Sequence, residues 1–113
     1  MADFLMKVGD TSPDIEIQCQ DSAGNPVDIS GADISFHLVP QGGTTLEIDS
    51  PAIITDGANG KVKYEWADGD TDLTAQIYDT EFEVTFAPGM GDEAIETFPN
   101  TDNILIEFIE ELG

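Results

Sequence analysis

Arginine is missing from this chain, and its three lysines stand against 24 aspartates and glutamates. Nucleic acid is held by Lys and Arg that displace counterions from phosphates, so a formal net charge of -21 excludes that class of partner. The same deficit excludes docking on an anionic membrane surface. A single cysteine excludes an internal disulfide. No run approaches the roughly 18 apolar residues of a membrane-spanning helix. Phe4-Leu5-Met6-Lys7-Val8 is shorter than the roughly 7–15 apolar residues of a signal-peptide core, and no basic stretch precedes it. Synthesis and folding in a cytosol are expected. There is no long linker, low-complexity tract or internal repeat. One domain over residues 1–113 is expected, with residues 1–8 either its first strand or a docking arm.

What the chain does have is a core and a charge problem. Hydrophobic residues make up 40% of it, enough to bury an interior. Acids at this density repel one another and oppose compaction. In molar salt the Debye length falls to about 3 Å and that repulsion is screened. The acids are spread along every segment and not gathered in a tail, which is the pattern of a proteome adapted to high salt. A salt-loving host is the expectation; the alternative is an acidic protein of an ordinary host, or one that meets a basic partner.

Strand-period alternation dominates the chain. Ile15, Ile17 and Cys19 alternate with Glu16, Gln18 and Gln20; Ile34, Phe36 and Leu38 alternate with Ser35 and His37. Val62, Tyr64 and Trp66 alternate with Lys61, Lys63 and Glu65. Tyr78, Phe82, Val84 and Phe86 face away from Asp79, Glu81, Glu83 and Thr85. Each run has one dry face, as antiparallel sheets do. These residues, with Ile104 and Ile106, form the expected interior.

Turn signals separate the runs, among them Asp21-Ser22-Ala23-Gly24-Asn25-Pro26 and Asp56-Gly57-Ala58-Asn59-Gly60. Gly24 and Gly60 suit turns that need positive φ. Strands are expected at 4–8, 14–20, 33–39, 45–49 or 52–55, 61–66, 77–86, 94–98 and 103–109, which points to a sandwich or barrel. The last stretch also fits a helix, with Leu105, Phe108, Ile109 and Leu112 on one stripe, but its β-branched content favours a strand. As a strand it leaves Leu105 and Ile109 on an outer face where other strands carry charge, which either meets a partner or is covered by another segment of the same domain.

Little points to catalysis. His37 is the only histidine and lies on the polar parity of its strand, and Cys19 shares parity with Ile15, as a buried thiol would. No phosphate-binding glycine loop is present. Asp68, Asp70 and Asp72 have the D-x-D-x-D spacing of a calcium loop, with Asp79 at its twelfth position. Leu73 takes the sixth place, where the tight loop needs glycine. A solvated acidic turn is expected, with these three aspartates only weak candidate ligands. Neither an enzyme nor a cofactor is expected.

The order of the runs carries a resemblance. Gly9-Asp10-Thr11-Ser12-Pro13-Asp14-Ile15 is followed by Asp21 to Ala32, then Gly60-Lys61-Val62-Lys63-Tyr64-Glu65-Trp66, then Ile77 to Phe86, then Glu96-Thr97-Phe98-Pro99. The pattern resembles the immunoglobulin-like N-terminal domain of phage baseplate upper proteins over about residues 8–109. Gln76 departs from it, standing where the family often has glycine. No receptor-binding region follows before Gly113, so receptor recognition is not carried over. The resemblance implies an all-β fold, an immunoglobulin-like antiparallel β-sandwich of about seven or eight strands. It also implies a structural virion protein of a tailed virus, in the baseplate, tail or neck or decorating the head capsid. Its partners would be other virion structural proteins, in a homo-oligomeric or multi-copy arrangement, with the protein made in the host cytoplasm and resident in the virion. Phe4, Leu5, Met6, Leu105, Ile109 and Leu112 are the expected partner-binding residues, because they are apolar beyond what alternation needs to bury. The competing reading is a host-surface or carbohydrate-binding module, which needs exposed aromatic rings; only Phe4, Phe98 and Phe108 are left open for that by parity.

Overall fold

The computed structural model describes residues 4–11, 14–86, 94–98 and 104–110. Its strands are β1 (Phe4–Lys7), β2 (Ile15–Gln18), β3 (Asp33–Pro40), β4 (Ile48–Pro51), β5 (Ile53–Asp56), β6 (Lys61–Tyr64), β7 (Ile77–Phe86), β8 (Ala94–Phe98) and β9 (Ile104–Ile109). The larger sheet runs β1-β9-β7-β3-β4, with β8 also paired to β7, and the smaller runs β2-β6-β5. The result is an all-β sandwich. Residues 104–109 are strand, as β-branching favours.

Two expectations are corrected. Nine strands are described where seven or eight were expected. The alternatives 45–49 and 52–55 each overlap a separate strand, the first displaced to Ile48–Pro51, and Ala52 carries the chain from the larger sheet to the smaller between them. The Ala52 N–H donates to the Ile34 carbonyl at 2.9 Å, which secures that crossing. The sheet is also mixed, since β1 runs parallel to β9. Alternation within a strand specifies its faces and says nothing of its neighbour's direction.

β7 organises the larger sheet. Residues Tyr78 to Thr85 pair with β3 along one edge. On the other edge β9 pairs with residues 77–80 and β8 with residues 82–86. β8 and β9 therefore lie end to end beside one ten-residue strand.

The dry faces meet as the alternation requires. Ile34, Phe36 and Leu38 from β3, Tyr78, Phe82 and Val84 from β7, and Ile104, Ile106 and Phe108 from β9 are all buried. Ile15, Val62, Tyr64 and Trp66 meet them from the smaller-sheet side. Ile17 and Phe86 are half-buried and pack at the margin. The Tyr78 hydroxyl donates to the Thr74 carbonyl at 2.7 Å, tying the start of β7 to the loop before it.

Candidate functional site

The exposed face of the larger sheet is built by parity. With Ile34, Phe36 and Leu38 turned inward, β3 turns Asp33, Ser35, His37 and Val39 outward. β7 turns Ile77, Asp79, Glu81, Glu83 and Thr85 outward. His37 lies between two acids, its Nε2 3.2 Å from Asp49 Oδ1 and its Nδ1 3.3 Å from Glu81 Oε2. The three residues form one cross-strand row on β4, β3 and β7. The histidine side chain is only 13% exposed, so it is part of the surface lattice more than a free imidazole.

Toward β1 and β9 the face changes character. Glu107 stands opposite Leu5 on one side and Ile77 on the other. Leu105 stands opposite Asp79, which stands opposite Val39, and Ile109 stands opposite Lys7. Leu5, Ile77, Leu105 and Ile109 thus surround one carboxylate. Leu5 is 63% exposed and the other three are half-buried. Such a gathering of apolar side chains on an outward face stands out in a chain this acidic.

Of the expected partner-binding residues, Leu5, Leu105 and Ile109 are brought together here. Phe4 is half-buried and packs on the core. Met6 is corrected: it is 3% exposed, opposite the buried Phe108, and belongs to the interior. The reason is that β1 is a regular strand, so its alternate residues turn inward and cannot all face a partner. Leu112 lies outside the described residues. Ile77 and Val39 were missed because the strand residues that share their parity, Asp79 and Glu81 on β7 and Ser35 and His37 on β3, are polar.

Of the other singled-out groups, Asp70 and Cys19 have structural settings. Asp70 accepts the Tyr64 hydroxyl proton and, at 2.8 Å, the Ala67 N–H, which closes the 67–70 turn. Asp68 and Asp72 are exposed. No group of three or more His, Cys, Asp or Glu side chains among the described residues is arranged to hold a metal ion. Burial, with a smaller contribution from Glu96, pushes the Cys19 thiol up to about 11. It is buried and free.

No protein-family model matches this chain, and no curated protein matches its sequence. Among solved structures it is similar to the N-terminal domain of phage TP901-1 ORF48, with a TM-score of 0.62 and 18% identity over 96% of this chain and 83% of that one. At that identity the likeness is one of fold.

Proposed function

We propose that the protein is a structural component of a tailed-virus particle, from a virus of a salt-loving host, and that it works by docking to other virion proteins without catalysis. The baseplate, tail, neck and head surface are the places where such a module serves. The observation that carries this reading is the outer patch of Leu5, Ile77, Leu105 and Ile109 around Glu107, set on a face that otherwise bears Asp33, Asp49, Asp79, Glu81 and Glu83. Burial of apolar area against a neighbour contributes about 25 cal/mol per Å² before association costs. The acidic remainder keeps copies apart elsewhere. The fold likeness to a phage domain supports the virion setting.

The sugar-binding alternative loses its best residues. Phe98 and Phe108 are each 1% exposed, and all nine aromatic side chains are buried or half-buried. Stacking a pyranose ring needs an open aromatic face.

The test is the double substitution Leu105→Ser/Ile109→Ser, checked for folding by circular dichroism. A folded variant that no longer enters particles supports docking through this face. A folded variant that enters normally removes the face from the proposal, and an unfolded one assigns both residues to the interior.

A further inference from the structure

The outward face of β9 carries Leu105, Glu107 and Ile109, all half-buried. Glu107 has Leu5 across from it on β1 and Ile77 across from it on β7. On the neighbouring rung Leu105 is followed by Asp79 and then Val39. Glu107 and Asp79 are thus diagonal neighbours, each set between aliphatic side chains. Elsewhere on this sheet outward acids have polar company: Asp49 and Glu81 flank His37, and Glu83 stands between Ser35 and Thr97.

The chain's own cations do not answer Glu107. It has no arginine and three lysines. Lys61 and Lys63 are on β6 in the smaller sheet, where Lys63 pairs with Glu65 and Asp14. Lys7 stands opposite Ile109 and forms no ion pair among the described residues.

A protein that covers the apolar side chains here also covers Glu107. A carboxylate taken out of water opposes docking unless a cation meets it. Lysine and arginine suit the place, because their aliphatic stems pack along apolar surface while the charged end reaches the carboxylate. A pair enclosed in this way is screened little by salt, whereas exposed pairs weaken as the Debye length shrinks.

We propose that the partner at this face is a different virion protein, which inserts a lysine or arginine among Leu5, Ile77, Leu105 and Ile109 to pair with Glu107. The proposal rests on the docking reading above and names the partner's chemistry. A second copy is a poor occupant, since it brings 24 acids with its three lysines. The aliphatic surround selects a long stem, and the carboxylate fixes where its charge ends.

Copies of the protein per purified particle, counted by quantitative mass spectrometry, read the docking. Glu107→Gln keeps the shape and removes the charge, and is expected to lower the copies about tenfold. Glu107→Lys is expected to remove them, and virus carrying it to regain them through loss of a lysine or arginine in another virion protein. Circular dichroism checks that each variant folds; Glu107→Gln carries the test if Glu107→Lys does not. Glu107→Gln copies at or above wild type, with Leu105→Ser/Ile109→Ser excluded, mean a purely apolar partner; this overturns the cation and leaves docking intact. A loss with Lys7→Gln equal to that with Glu107→Gln means that Lys7 answers the carboxylate, and overturns it too. So does self-association of the isolated wild type, read by sedimentation, that Glu107→Gln abolishes. Normal entry of Leu105→Ser/Ile109→Ser overturns the docking face and this proposal together.

Discussion

The ring of Phe36 on β3 lies 4.3 Å from that of Tyr64 on β6, with 9° between their planes. One residue belongs to the larger sheet and the other to the smaller, so this stack joins the two layers. Trp66 stands nearly perpendicular to both, with centroids 5.8 Å from Phe36 and 5.4 Å from Tyr64. Phe108 meets Trp66 at 5.9 Å and Tyr78 at 5.6 Å, which extends the cluster to β9 and β7. Edge-to-face pairs of this kind add to what the buried area alone contributes.

Trp66→Ala should therefore cost about 3–5 kcal/mol, because removal of the indole opens a cavity against three other rings. Urea unfolding followed by far-ultraviolet circular dichroism measures it. An unchanged midpoint would show that the ring is not a wedge between the sheets.

Gly60 is a second point of vulnerability. Its φ is +70°, and a Cβ there would stand 2.7 Å from the carbonyl oxygens of both Cys19 and Val27. Gly60→Ala should destabilise the fold by at least about 1–2 kcal/mol from backbone handedness alone, before the clash is counted. Equal melting temperatures for variant and wild type would contradict this geometry.

Stability should fall at alkaline pH. Burial first, then Glu96, raises Cys19 from 9.0 to about 11. Burial first, then the hydrogen bond to Asp70, raises Tyr64 from 10.0 to about 12 against an opposing Ser50 hydrogen bond. The native state holds both protons more tightly than the unfolded chain. Their contribution is full below about pH 9 and is lost as pH climbs toward the folded-state values. Thermal melts between about pH 8 and about pH 11 should show a shallower decline for Cys19→Ala than for wild type. Parallel declines would mean that the thiol ionises freely.

Salt should act in the opposite direction. Three lysines answer 24 acids, and Lys63 already serves Glu65 at 3.1 Å and Asp14 at 3.9 Å. The melting temperature should rise steeply from dilute buffer to about 2 M sodium chloride, where exposed charges are screened. A flat profile would remove the salt-loving host from the proposal.

The alternating runs made β3, β6 and β7 legible before any coordinates, because period-two burial needs only local sequence. Met6 was not legible. Phe4-Leu5-Met6 reads as an unbroken apolar run, and only its register beside β9 shows which members turn inward. The direction of β1 was hidden for a related reason: its partner lies about a hundred positions away along the chain, as the Phe4–Ile106 register shows. Leu105 and Ile109 could be read from parity, but the gathering of Leu5 and Ile77 around Glu107 depends on three strands brought together. The setting of His37 likewise needs Asp49 and Glu81 from two other strands.

The parallel alignment of β1 and β9 has a mechanical consequence. Tension drawn through Phe4 and Ile109 pulls the first strand back toward its start and the last strand forward toward its end. The two must slide lengthwise, which loads every rung between them at once. Strands pulled apart from one shared end would peel open a rung at a time. Forced opening is governed by the unfolding barrier and not by equilibrium stability, so the terminal pair should act as a latch under load, measurable as rupture force in a single-molecule pull.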